Sequence, residues 1–343
     1  MKYVPIDSIE PGQYLGKTIF TASGAVMLAE GVQLTVYMIN TLRRIGVSML
    51  YIQDQETSDI EIPEVVSEET KRIVIRQMLD TFDSIRSGKD FNTRHMSKNV
   101  DTLLDEILKN KDVLIQLTDI RTKDNDMYLH ALNVCMISTL IGINMNLNPQ
   151  QLKELAIGAL LHDVGKLDAI TDDESKDDRL HHTWRGFEAL KAKREYSLLI
   201  AHVAFQHHET PDGLGEPRRL LGEQIHLYAK IVSAANTYDN LLQGSGLNAG
   251  LLPHVAIEHM MAMAGTKLDR DILIHFLRTV SVYPTGISVR LSTRETGVVV
   301  GQHRGLPGRP VVRIIKQDGG KEYDVKEMDL AKHTTLFIEH VLA

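Results

Sequence analysis

The chain has 343 residues, 43% of them apolar, enough for two or three domains with cores of their own. Its net charge of −7, from 38 basic and 45 acidic residues, leaves no basic excess to attract long nucleic acid. The one cysteine, Cys135, excludes a disulfide framework and a thiolate metal site, and is expected as a small core hydrophobe.

In chain order, residues 1–55 predict a small α/β module. Tyr14 to Phe20 and Ala25 to Ala29 read as strands around a turn at Thr21 to Gly24. Thr35 to Ile45 carries Val36, Ile39 and Leu42 at helical spacing and stops at Gly46, and Val47 to Ile52 returns as a strand. No polar groups converge here, so a regulatory module that docks a partner protein is expected. Nothing near the start resembles a signal peptide, and the apolar stretch from Ala131 to Ile143 is too short for a membrane span. A cytoplasmic protein is expected.

Residues 56–110 read as linker and helices. Gln53 to Glu64 is acidic and contains Pro63. A helix from Ser67 to Ile85 has Ser67 as its N-cap and Glu68 and Glu69 in its first turn. A second, from near Met96, puts Val100, Leu103, Leu104, Ile107 and Leu108 on one face. That face would cover the next domain or pair two copies in a homodimer.

Residues 111–283 read as helix after helix: Tyr128 to Ile143, Pro149 to Leu161, Gly186 to Lys193, Ser197 to Gln206, Gly222 to Leu242 and Pro253 to Ala264. Residues 284–343 change texture to short Val- and Ile-rich runs, Ile287 to Leu291, Thr296 to Gln302 and Pro310 to Lys316, closed by Tyr323 to Val325 and the last segment. The predicted fold class is mainly α: a helical bundle core, a small N-terminal α/β module and a small C-terminal β appendage.

Within the helical region His130, His162, Asp163, His182, His207 and His208 can all be aimed inward. Imidazole and carboxylate are what first-row divalent metals take when no thiolate is present. Five histidines and an aspartate exceed one tetrahedral site, which implies two ions close together. Such a pair suits phosphoester hydrolysis, holding both the attacking and the leaving oxygen. Neighbouring helical residues point about 100° apart, so His162 and Asp163 can serve two metals, with the carboxylate as bridge. Lys166 lies one turn on, positioned to meet a bound phosphate. Taken alone, His130 reads as a core histidine and His162-Asp163 as an ordinary helix end. His181 is expected to be exposed. His202, His226, His254, His259 and His275 are expected at the surface or in packing.

The order His130, then His-Asp-x-Gly-Lys at 162–166, then His182-x-x-x-Gly186, then His207-His-Glu with Asp212-Gly, Gly215 and Pro217, then Ala235-Asn-x-Tyr-Asp-Asn-Leu241, resembles the HD-GYP group of HD-superfamily phosphohydrolases. The resemblance runs from about Arg121 to Val282. More loosely it takes in the C-terminal strands and the first 55 residues, which look like modules often attached to that domain. It implies an HD-type five-helix core holding two divalent ions, or three, usually iron or manganese, and hydrolysis of cyclic di-GMP to the linear dinucleotide or GMP. It assigns metal ligation to His130, His162, Asp163, His182, His207 and His208, catalytic roles to Asp163 and Lys166, and the substrate phosphate to Lys166.

Three positions depart from that family. Its last metal-ligating aspartate is Asn236, which can ligate without charge. Its GYP tyrosine, expected to line the substrate pocket, is Glu216, which would repel a phosphodiester. The family's arginine after the Tyr-Asp motif is missing from Leu242 to Leu247. Asp126, four residues before His130, matches a position where some members hold a third metal. An exposed first-turn acid is the simpler reading of that residue. These departures support a second function: a metal-containing but catalytically weak sensor or scaffold that binds nucleotide or a partner protein.

Overall fold

The structure is a computed structural model. It describes every residue except 22, 55, 56, 58, 123, 168–180, 246, 247, 318–322 and 343, and the side chains of 245, 248, 249, 315–317 and 323–325 are also left aside. The chain forms two compact units. Unit 1 is Met1–Glu64, Asp112–Asp126 and Val280–Ala343; unit 2 is Val65–Lys111 and Met127–Thr279.

Unit 1 starts with β1 (Lys2–Pro5), which has no alternating pattern to announce it. Then come β2 (Ile19–Phe20), β3 (Val26–Leu28), α1 (Val36–Arg44) and β4 (Met49–Ile52). β1 pairs antiparallel with β4, with Tyr3 opposite Tyr51. The predicted turn forms at Thr21, whose carbonyl accepts from the Gly24 amide at 2.9 Å. α1 has Thr35 as its N-cap and is followed by Gly46 at φ +99°, as its composition predicts. Ile6, Leu15, Ile39, Leu42 and Leu50 form its core.

Unit 2 opens with α2 (Glu68–Arg86) and α3 (Thr93–Lys109). Ser67 caps α2, its Oγ accepting from the Thr70 amide at 3.3 Å. The apolar face of α3 packs within the unit, on α2 and on α5 (Pro149–Leu160), although Leu108 stays exposed. In the chain α4 (Asp126–Asn144) follows α3, and it is buried along most of its length. By length and composition α4 could cross a membrane, but 83% of that stretch is buried inside the protein, as in a core helix.

α6 (His182–Lys191) starts four residues before the predicted point at Gly186. Its N-cap is His181, whose ring accepts from the Thr183 amide. The polar loop before it lies outside the described residues up to position 180. α7 (Leu198–Gln206) follows Ser197, its N-cap. The single helix predicted from Gly222 is divided into a short 3-10 turn, Gly222–Gln224, and α8 (Leu227–Gln243). His226 sits at the break as N-cap, its Nδ1 accepting from the Tyr228 amide at 3.2 Å. The pair β5 (Gly244–Ser245) and β6 (Asn248–Ala249) leads to α9 (Pro253–Ala262) and α10 (Arg270–Phe276). α10 is too short to show periodicity; its signal was Asp269, which caps the Asp271 and Ile272 amides.

The chain then returns to unit 1 as β7 (Ser288–Leu291), β8 (Thr296–Gly301), β9 (Val311–Gln317), β10 (Tyr323–Asp329) and β11 (Ile338–Leu342). They form an antiparallel sheet in the order β10-β9-β8-β7-β11. The two chain ends meet here. Tyr3 bridges to Ile287, and the Tyr51 hydroxyl donates to the Thr285 carbonyl at 3.2 Å.

Candidate metal centre

All six residues assigned to metal come together in unit 2 and form two groups that share one carboxylate. His130, His162 and Asp163 make the first; Asp163, His182, His207 and His208 make the second. Asp163 Oδ2 faces His162 Nε2 at 3.5 Å and His130 Nε2 at 3.8 Å. Its Oδ1 faces His207 Nε2 at 3.4 Å and His182 Nε2 at 3.5 Å. One oxygen therefore serves each group.

Helix ends aim these side chains. His162 follows α5 and His207 is the C-cap of α7. Helix C-termini leave carbonyls without partners, and both rings use one: His162 Nδ1 donates to the Ala159 carbonyl at 2.7 Å, and His207 Nδ1 to that of Ala204 at 2.9 Å. With Nδ1 so engaged, Nε2 carries the lone pair and points into the cluster. His130 is fixed differently. Its Nδ1 meets Asp239 Oδ2 at 2.6 Å, while its Nε2 lies 3.3 Å from His162 Nε2. Asp239 is fully buried and also accepts from the Asn133 amide group at 3.0 Å. A carboxylate behind a ligating imidazole fixes its tautomer and raises its basicity.

Asp239 has no place among the site residues predicted from sequence. It lies on α8, 109 residues from His130, and only the fold joins them. Asp239→Asn keeps the shape but weakens the acceptor. It is expected to lower metal affinity by roughly 10- to 100-fold, the cost of losing an outer-shell partner. Metal titration of the apoprotein measures this; unchanged affinity at an unchanged melting temperature would count against the role.

Electrostatics suit cation binding. Burial pushes the His162 and His182 imidazoles down to about 3, and lowers His208 as well. They are thus neutral at pH 7, the form that ligates. Burial alone would raise the Asp163 carboxyl, yet the adjacent His162 and His207 rings and Lys166 together hold it well below the usual carboxylate range. Two buried atoms of these groups, Asp163 Oδ1 and His207 Nε2, have no hydrogen-bond partner. Orphaned buried acceptors are costly unless something fills them. The separation of 3.1 Å between His182 Nε2 and His208 Nε2 matches the edge expected between ligands each ~2.1 Å from one ion, roughly 3.0–3.4 Å. The donor set therefore fits divalent metal.

The motif glycines shape the cradle. A Cβ on Gly165 would lie 1.9 Å from the His182 carbonyl oxygen and 2.6 Å from the Gly186 amide, so Gly165 lets the turn at 164–167 close on α6. A Cβ on Gly215 would lie 2.3 Å from the Thr210 amide. Glu209 is buried and holds the loop beyond, accepting from the Arg218 and Leu220 amides at 2.7 and 2.8 Å.

The other predicted residues vary. Lys166 is half exposed and bonds Asp163 Oδ2 at 2.6 Å. Asp126 is in neither group and pairs with Arg121 at 3.3 Å. Asn236 is buried on α8, its Oδ1 accepting from Asn240 at 2.8 Å. Glu216 is mostly exposed, 3.8 Å from His181 Nε2. His181, expected to be exposed, is half-buried, because its ring caps α6 and lies 4.3 Å from that of His182. His202 packs on Phe187, and Cys135 is fully buried, its thiol pushed up to about 12.

The HD domain family matches residues 102–272, and the KOW domain associated with the HD domain matches residues 288–343. A cyclic di-GMP phosphodiesterase of Pseudomonas aeruginosa is 29% identical over 246 residues, covering 69% of this chain and 59% of the relative. A cyclic di-GMP phosphodiesterase of Borreliella burgdorferi is 24% identical over 201 residues, 56% of this chain and 52% of the relative. The chain thus spans between half and three-fifths of the length of these two curated relatives. A 3′3′-cGAMP-specific phosphodiesterase of Vibrio cholerae is 28% identical over 165 residues, 45% of this chain and 35% of the relative. The solved structure of an HDG"Y"P protein from Bdellovibrio bacteriovorus aligns with 80% of this chain and 97% of that one, at 16% identity and a TM-score of 0.47.

Proposed function

Because this chain belongs to the HD-GYP family of HD-domain proteins, we propose that it is a metal-dependent phosphodiesterase that hydrolyses a cyclic dinucleotide, cyclic di-GMP foremost, to the linear dinucleotide or GMP. The observation that carries this reading is the Asp163 carboxylate, which turns one oxygen to each of two histidine groups. In this reading His130, His162 and Asp163 hold one ion, and Asp163, His182, His207 and His208 hold another, iron or manganese in both. When bound, the ions would supply Lewis-acid polarisation of the phosphodiester and water activation near neutral pH. Lys166, within a turn of the pair and half exposed, can leave Asp163 and neutralise a phosphate oxygen. Asp239 holds the Nδ1 proton of His130 throughout. Asp126 has less support as a ligand for a third ion, since its carboxylate engages Arg121.

A second reading, a metal-containing sensor with little turnover, rests on Asn236 and Glu216. The test is elemental analysis of the purified protein after anaerobic reconstitution, followed by chromatography of its products from cyclic di-GMP. At least two equivalents of metal and a linear product are expected. Less than one equivalent would end both readings; two equivalents without product would leave the sensor.

Asn236→Asp separates them further. Restoring a charged oxygen should raise metal occupancy, because affinity tracks ligand charge. If a half-filled site limits turnover, hydrolysis rises with it. If substrate binding is the limit, metal content rises and activity stays flat. No change in either would show that position 236 does not face the centre.

A further inference from the structure

We propose that Glu216 is a specificity-determining residue that reads the Watson–Crick edge of a guanine base in the substrate. This inference rests on the reading above, that a cyclic dinucleotide places its phosphodiester at the metal groups.

Glu216 stands on a loop held firmly beside the ligands. Its amide donates to the carbonyl of His208 at 3.1 Å. Gly215 before it has no room for a side chain, and Glu209 pins the amides of Arg218 and Leu220 just after it. The backbone is fixed, yet the Glu216 side chain is 69% exposed. Its Oε2 lies 3.8 Å from Nε2 of His181, whose ring sits 4.3 Å from that of His182 and 6.0 Å from that of His208. The carboxylate thus lies one residue out from the centre, at its rim. It is a member of neither ligand group.

A phosphodiester seated on the ions would leave the bases reaching outward, and what meets a rim carboxylate must offer donors. Guanine offers two in parallel, N1–H and the exocyclic N2–H, and a carboxylate accepts both in a charge-assisted pair. Adenine has one donor and one acceptor on that edge, so a carboxylate meets an acceptor there. A site built to accept from a donor rejects the analogue that lacks it more sharply than an apolar pocket can. The charge that would disfavour a phosphate at this position therefore becomes a base selector.

The experiment measures equilibrium binding and steady-state hydrolysis of cyclic di-GMP, 3′3′-cGAMP and cyclic di-AMP. The proteins are the metal-loaded wild type and Glu216→Gln, with metal content and melting temperature checked for both. Wild type should bind cyclic di-GMP most tightly and cyclic di-AMP least. Glu216→Gln should weaken cyclic di-GMP binding roughly tenfold, the low end for a bidentate base contact because the side chain is exposed. It should leave cyclic di-AMP binding and metal content unchanged, and any kinetic effect should fall on KM rather than kcat. Tighter binding of all three ligands by the variant would show that the carboxylate faces phosphate, and would overturn the inference. So would equal affinities in wild type and variant, or no binding of any ligand. Selective binding without turnover would leave the inference standing and remove the proposed activity.

Discussion

Replacing Asp163 with alanine is expected to empty both halves of the metal centre together. Its two oxygens face different histidine groups, at 3.4–3.8 Å, so no single-site loss can follow from its removal. Each group loses its anionic member and is left with imidazoles alone, of which His162 and His182 are driven to the neutral form by burial. Lys166 then has no counter-charge at 2.6 Å, which further opposes a cation. Hydrolysis of a cyclic dinucleotide should fall by more than the ~100-fold ascribed to losing an outer-shell partner, since the bridge itself is gone. Elemental analysis beside turnover measures both. Retention of one full equivalent of metal would show that the two groups are independent and that Asp163 does not bridge them.

The second large effect concerns stability. Gly165→Ala should lower the melting temperature steeply, because the new methyl would meet a backbone carbonyl at 1.9 Å and a backbone amide at 2.6 Å. Neither atom belongs to a flexible side chain, so the turn at 164–167 must part from α6. Overpacking of this kind costs about 3 kcal/mol, or roughly 6–12 °C for a domain of this size. The displaced carbonyl is that of His182, so the second ligand group should also lose metal before the first. Gly186→Ala is the internal contrast. Its Cβ would lie 3.3 Å from the Ala204 methyl, a contact that small shifts relieve. Calorimetry of both variants in metal-free form decides it; equal melting temperatures would mean that the close approach at Gly165 is not maintained in solution.

Much of the site was legible because its signals are local. Ligand type, the spacing from His162 to Lys166 and the His207-His208 pair all lie within a few residues of a helix end, where periodicity and capping are strong. The structure supplies the reason for those positions: a histidine just past a helix satisfies an orphan carbonyl with Nδ1 and presents Nε2. That explains His162 and His207 but not His130, which sits inside α4 and by itself reads as a core residue. Its partner Asp239 carries no local signal of that role, since the family likeness points to position 236 on α8 and gives Asp239 none. Three residues separate the two positions, and only packing shows that the Asp239 carboxylate, and not the Asn236 amide, stands behind His130.

The sequence alone determined the helical character of the centre, its six candidate ligands and the glycines that punctuate them, because each depends on neighbours close in the chain. Tertiary structure decided the rest. It divided the candidate ligands into two groups around one carboxylate, set Asp239 behind His130 and brought Glu216 to 3.8 Å from His181. It also joined the two chain ends in unit 1, where Tyr3 meets Ile287 and the Tyr51 hydroxyl meets Thr285. These are contacts between residues tens to hundreds of positions apart. Their free energy comes from burial and hydrogen bonding that exist only once the elements have packed, so no local pattern carries them.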